Sequence, residues 1–167
     1  GMSAPPKLLN TTLTDLDIET SITTYKNDFI STSSSAAEWS PVAQFEWNRS
    51  EKYNPCPQGW RVPTREEFES LINSGSTWTQ SGPFGMPGMW FGGDHSGNHS
   101  GSIFLPAAGC RVENVYNAQG RGSYGYYWTT TMSTNPSSAN LIFYEGAKTI
   151  NNSARVRSYS VRCVKDN

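Results

Sequence analysis

Apolar residues follow helical spacing most clearly just after Arg61-Val62-Pro63. Phe68, Leu71 and Ile72 fall at i, i+3 and i+4 and form one stripe. Thr64, followed three residues later by Glu67, spells a capping box, and Glu66 and Glu67 lie at the positive end of the helix dipole. Asn73-Ser74-Gly75 supplies the stop. The pattern predicts a short amphipathic helix whose exposed acids form a solvated face. From 75 to 101 glycine and proline dominate, and the segment reads as a long loop packed by Trp78, Phe84, Met89, Trp90 and Phe91. Strand-like runs follow at 103–105, 126–132, 139–144 and 159–164, with turn signals at Asn135-Pro136 and Glu145-Gly146. In the last run Tyr159, Val161 and Cys163 share one face, while Ser160 and Arg162 take the other. One early helix and late antiparallel strands predict an α+β domain with long loops. Residues 1–40 are polar and Thr/Ser-rich, with only Leu13, Leu16, Ile18 and Ile22 as apolar punctuation, and form an unassigned arm.

Composition narrows the function classes. The chain has 167 residues, a length that supports one domain, and its formal net charge is −1. Charged residues make up 16%, against about 25% in an average domain, and Ser, Thr, Asn, Gly and Tyr fill the gap. That balance argues against a disordered charged chain, a coiled coil and a basic nucleic-acid binder. It suits a loop-rich fold of extracellular type, secreted or at a cell surface. No run approaches the ~18 apolar residues that a transmembrane helix needs, so no transmembrane segment is expected. Gly1 ahead of Met2 reads as the remnant of a removed tag, so the lack of a signal peptide says little about compartment. Three cysteines leave at least one unpaired within the chain, and Cys56, Cys110 and Cys163 lack the close pairs of a zinc site. On spacing alone, a Cys56–Cys163 bridge and three reduced thiols both stand open.

Most catalytic signatures fall away on context. Residues 120–125 spell G-x-G-x-x-G, but Tyr126-Tyr-Trp-Thr-Thr-Thr131 follows, which is strand chemistry where a dinucleotide site needs a helix. His95 and His99, with Asp94 and Asn98, have the spacing of metal ligands, yet their glycine-rich setting is not helical and reads as a surface loop. No G-x-S-x-G elbow occurs, and neither histidine has an obvious nucleophile partner. The expectation is therefore a protein that is not an enzyme and has no cofactor. N-glycosylation sequons start at Asn10, Asn48, Asn98 and Asn151, and matter only in a eukaryotic secretory setting. More informative is the stretch 111–157, which carries Arg111, Asn114, Tyr116, Asn117, Arg121, Tyr124, Asn140, Tyr144, Asn151 and Asn152. Tyrosine offers wide contact area with few rotors, arginine adds charged hydrogen bonds, and asparagine adapts, as in antibody-like binding surfaces. An ordinary polar sheet surface with structural tyrosines is the competing reading.

Several ordered motifs resemble a known family. Tyr53-Asn-Pro-Cys-Pro-Gln-Gly-Trp-Arg-Val-Pro-Thr64 with Glu66-Glu-Phe68 opens the series. Phe104-Leu-Pro-Ala-Ala-Gly109, Gly122-Ser-Tyr-Gly-Tyr-Tyr-Trp-Thr-Thr-Thr131 and Ser160-Val-Arg-Cys-Val164 follow in order. Together they resemble the FISUMP, or major paralogous, domains of bacterial surface proteins, and on that likeness the domain spans 41–167. The resemblance implies a C-type-lectin-like fold, in which the terminal strands meet and long loops present a binding face. The series is also similar to the variable proteins of diversity-generating retroelements, whose ligand contacts lie in the C-terminal part. By that likeness Asn114, Tyr116, Asn117, Asn140, Tyr144, Asn151 and Asn152 are contact candidates. The family commonly carries cysteines at the positions of Cys56 and Cys163, which supports their pairing. Cys110 departs from the pattern and is expected to be a free thiol.

The Glu-Pro-Asn, Gln-Pro-Asp and Trp-Asn-Asp tripeptides of calcium-dependent lectins are absent, so that mode of sugar binding is not expected. Cys110 alone does not supply the reactive pair of formylglycine-generating enzymes. The expectation is an adhesin-like domain of a bacterial surface or secreted protein, binding a protein or glycan through the 111–157 loops. The alternatives are a structural subunit of a fimbria or surface layer, and a metal-dependent or formylglycine-generating-enzyme-like oxidase.

Overall fold

A computed structural model describes residues 54–93, 97–112, 118–134, 137–155 and 157–166. Within them the fold is α+β, built from antiparallel sheets and one short helix. Strand β1 (Trp60–Arg61) leads into helix α1 (Arg65–Asn73). The capping box forms as the sequence predicts: the Thr64 side chain accepts from the Glu67 N–H, and the Glu67 carboxylate accepts from the Thr64 N–H. At the other end the Ser74 N–H bonds to the Ser70 and Leu71 carbonyls and closes the helix.

The segment 75–101, expected to be a loop, is where the structure departs furthest from that reading. It holds strands β2 (Ser76–Thr79) and β3 (Gly88–Phe91), paired antiparallel and joined through a single 3-10 turn at Pro83–Gly85. Glycine and proline there mark the turn between two strands, and Trp90 between inward Met89 and Phe91 hides the alternation of β3. Strand β4 (Ile103–Pro106) pairs with β3 and completes a three-stranded sheet. A second three-stranded sheet follows, from β5 (Gly125–Met132), β6 (Ser137–Tyr144) and β7 (Ala147–Ala154).

The two sheets and α1 enclose one core. Phe68, Met89, Phe91, Leu105, Tyr127, Leu141 and Phe143 are buried together, with Leu71, Ile72, Trp78 and Ile150 packed against them. Phe143 is the hub: its ring meets Phe91 edge-on at 5.5 Å, Trp78 at 6.5 Å and Tyr127 at 5.9 Å. A Cβ at Gly125, the cross-strand partner of Phe143, would lie 2.0 Å from that ring, so only glycine fits beneath it. The Tyr127 hydroxyl finds the Pro106 carbonyl at 2.9 Å, which satisfies its buried polar end.

The C-terminal run 159–164 is not one strand, contrary to the sequence expectation. Ser158 bridges Arg111, Ser160 bridges Tyr127 in parallel, and only Val164–Lys165 (β8) forms a ladder, with β1. The chain here passes three neighbours in turn, so its alternation serves no single sheet. Cys56 and Cys163 form a disulfide with a Cα–Cα distance of 5.8 Å beside the β1–β8 pair, and Cys110 is free and buried.

Candidate functional site

Side chains alternate along β5, so Tyr127 faces the core while Tyr126 and Trp128 face the other side of the sheet. On that outer side the aromatics form a continuous row. Tyr144 meets Tyr124 with ring centroids 5.3 Å apart, Tyr124 stacks on Tyr126 at 6.0 Å, Tyr126 stacks on Tyr159 at 5.0 Å, and Tyr159 meets Trp128 at 4.5 Å. Exposure falls along it, from Tyr144 (42%) and Tyr124 (39%) to Trp128 (4%). The backbone holds the exposed end in place: the Tyr124 N–H donates to Gly120 O at 2.8 Å, and Gly109 N–H donates to Tyr124 O at 2.8 Å. At the inner end the Tyr159 hydroxyl links Arg157, whose Nη1 donates to it at 3.3 Å, and the Ser153 hydroxyl at 3.1 Å. Burial raises the pKa of Tyr126 and of the Cys110 thiol near it, and it lowers that of the Arg155 guanidinium.

The residues expected to make contact divide. Tyr124 and Tyr144 come together at the exposed end of the row, and Arg121 lies exposed in the turn that precedes Tyr124. Arg111 is half-buried, its backbone paired with Ser158. Asn151 and Asn152 are both exposed but on opposite sides of β7, Asn151 on the outer side and Asn152 in register with the buried Ala139. Asn140 is 0% exposed and stands between Trp128 and Asn151, so it takes no part in an outward surface. Its amide oxygen and nitrogen are buried without a hydrogen-bond partner. Asn114, Tyr116 and Asn117 lie outside the described residues.

Of the histidine pair, His99 stacks on Trp90 at 4.0 Å with the rings 4° from parallel, and Asp94 and His95 lie outside the described residues. Among the described residues no three His, Cys, Asp or Glu side chains gather as metal ligands would. No helix among them is long and apolar enough to cross a membrane.

The same chain matches the family model described as the Fibrobacter succinogenes major domain over residues 11–165. The chain belongs to that family. No curated protein and no solved structure matches it. The motifs of this major domain family take framework positions. The first carries Cys56 of the disulfide, β1 and the cap of α1, the second forms β4 and its exit, the third forms β5, and the fourth carries Cys163 and opens β8. Tyr126 and Trp128 belong to these framework segments and Tyr159 immediately precedes the last of them, and none of the three was among the expected contact residues. The signal for Tyr126 and Trp128 is the aromatic at every second position from 124 to 128, and Tyr159 falls outside it.

Proposed function

We propose that this major domain is a non-catalytic binding module of a bacterial surface or secreted protein. It engages a protein or glycan through the outer side of β5–β6 and the turns beside it. The observation that carries the reading is the row Tyr144–Tyr124–Tyr126–Tyr159–Trp128, exposed at one end and hydrogen-bonded at the other. A row of stacked rings on a rigid sheet presents contact area at little entropic cost, because the side chains are already ordered. An extracellular setting accords with the disulfide, which reducing compartments do not favour.

The lectin-like reading of the fold draws support from β1 and β8 pairing near the two ends of the described domain, and from the long connections between strands. The likeness to retroelement-diversified proteins rests on motif order, and a reverse transcriptase encoded beside the gene is its test.

The experiment is a glycan and extracellular-protein array probed with the wild-type chain and with Tyr124→Ala and Tyr144→Ala. A binder of the wild type that loses at least tenfold in affinity with either variant supports the site. Unchanged affinity in both variants, with the fold intact by circular dichroism, overturns it.

A further inference from the structure

Phe84 is the largest departure from ordinary surface chemistry among the described residues. Its side chain is 101% exposed, and its backbone holds φ 60° and ψ 22°, a left-handed conformation that a bulky residue rarely adopts. The loop around it is tied down. Gly82 N–H donates to Met86 O at 2.9 Å, Gly85 N–H to Gly82 O at 3.0 Å, and Met86 N–H to Pro83 O at 3.3 Å. Beneath it Gly82 lies against the Phe104 ring, where a Cβ would come within 2.3 Å. The fold therefore spends backbone strain to hold a phenyl ring in water, and such strain gathers at functional sites.

The loop adjoins the exposed end of the aromatic row. Gln80 Nε2 donates to the Glu145 carboxylate at 3.4 Å, next to Tyr144. Pro87 O accepts from Ala107 N–H at 2.8 Å, and Ala107 O accepts from Gly122 N–H at 2.7 Å, two residues before Tyr124. The loop that carries Phe84 is thus hydrogen-bonded to the residue after Tyr144 and, through Ala107, to the turn before Tyr124.

We propose that Phe84 anchors a protein-docking surface at this end, its ring entering an apolar pocket of a partner protein with Tyr124 and Tyr144 flanking it. The proposal rests on the binding-module reading and names its partner class. A ring that protrudes on all sides is enclosed only by a concave partner, whereas a sugar covers one face of a ring and small-ligand sites are themselves concave. Buried aromatic anchors of this kind dominate protein interfaces. An anionic membrane is disfavoured by charge: residues 79–88 carry none, and the nearby Glu145 is an acid where a membrane-binding loop needs Lys or Arg.

The test uses the full chain against an array of purified extracellular proteins, phospholipid vesicles with and without an anionic lipid, and sedimentation of the chain alone. The variants are Phe84→Ala, Phe84→Asn and Ile103→Ala. Asparagine tolerates the left-handed backbone, so Phe84→Asn should melt no lower than the wild type. The expected result is an array protein whose affinity falls at least tenfold with both Phe84 variants and is unchanged by Ile103→Ala, with no vesicle binding and a monomer in sedimentation. Vesicle binding or self-association that Phe84→Ala abolishes overturns the proposal. So does a binder that loses affinity with Tyr124→Ala or Tyr144→Ala but not with Phe84→Ala, which leaves the binding-module reading standing. A wild-type chain that binds no protein on the array overturns the proposal, and if it binds no glycan either, the broader reading falls with it.

Discussion

Glu67 accepts both terminal nitrogens of Arg61, at 2.7 and 2.6 Å, while the same carboxylate accepts the Thr64 N–H at 2.8 Å. One side chain thus ties β1 to the first turn of α1. Arg61 also reaches Asp166 at 3.4 Å, beside β8, and its pKa is raised above the usual value, chiefly by the hydrogen bond to Glu67. Replacing Glu67 with Ala removes the cap and the bidentate pair together, and should cost about 1–2 kcal/mol in urea unfolding. Glu67→Gln keeps an acceptor for Thr64 and should cost less. Equal losses in the two variants would contradict the shared role.

The Cys56–Cys163 bridge closes a loop over a sequence separation of 107 residues. Loop-closure entropy for a span of that size is worth roughly 4–5 kcal/mol, so reduction should lower Tm sharply. Cys110 is buried and burial raises its thiol pKa, so the native protein should resist alkylation. Denaturation without reductant should expose one reactive thiol by intact mass, and reduction should expose all three.

Alkaline pH should weaken the fold through Tyr127. Burial pushes its pKa from 10 up to about 12, so the folded state holds the proton more tightly than the unfolded chain does. Its contribution is complete below pH 10 and is lost as pH rises through 12, for about 3 kcal/mol. Tyr126 shifts in the same direction. Unfolding measured across that range should show a shallower decline in Tyr127→Phe, which lacks the ionising group. An identical slope would assign the decline to other residues.

Asn140 invites a substitution that stabilises. Its amide is fully buried with no partner, and desolvation without a hydrogen bond is unfavourable. Asn140→Val is close in size, suits a strand and has no polar atom, and should raise stability by about 1 kcal/mol. A fall in Tm would show that the amide has a role in the fold.

Much of the scaffold was legible in the chain. The helix at 65–73, the strands at 103–105, 126–132 and 139–144, and the hairpin turn at Glu145-Gly146 all follow from short-range pattern and occur as expected. The hairpin β2–β3 was not legible, because Gly and Pro in its connection resemble those of an irregular loop. Strand β7 lacks a clear apolar alternation, and its pairing with β6 rather than its side chains makes it a strand. Of the residues that the Tyr- and Asn-rich stretch pointed to, Tyr124 and Tyr144 lie exposed against each other, whereas the fold buries Asn140, because burial depends on strand pairing that composition does not show.

The sequence by itself determined what local chemistry decides. The cap of α1 forms because Thr64 and Glu67 are three residues apart, and the motif series was enough to indicate the family and, through it, the cysteine pair. Tertiary structure alone decided which aromatics meet water. Tyr126, Tyr127 and Trp128 are adjacent and chemically alike, so no alternation of polarity marks a core side. Only the pairing of β5 with β6, the packing of Phe143 against Tyr127 and the approach of Tyr159 separate them. The exposure of Phe84 has the same origin. Its turn is anchored over Phe104, and no sequence pattern shows where the remaining ring will point.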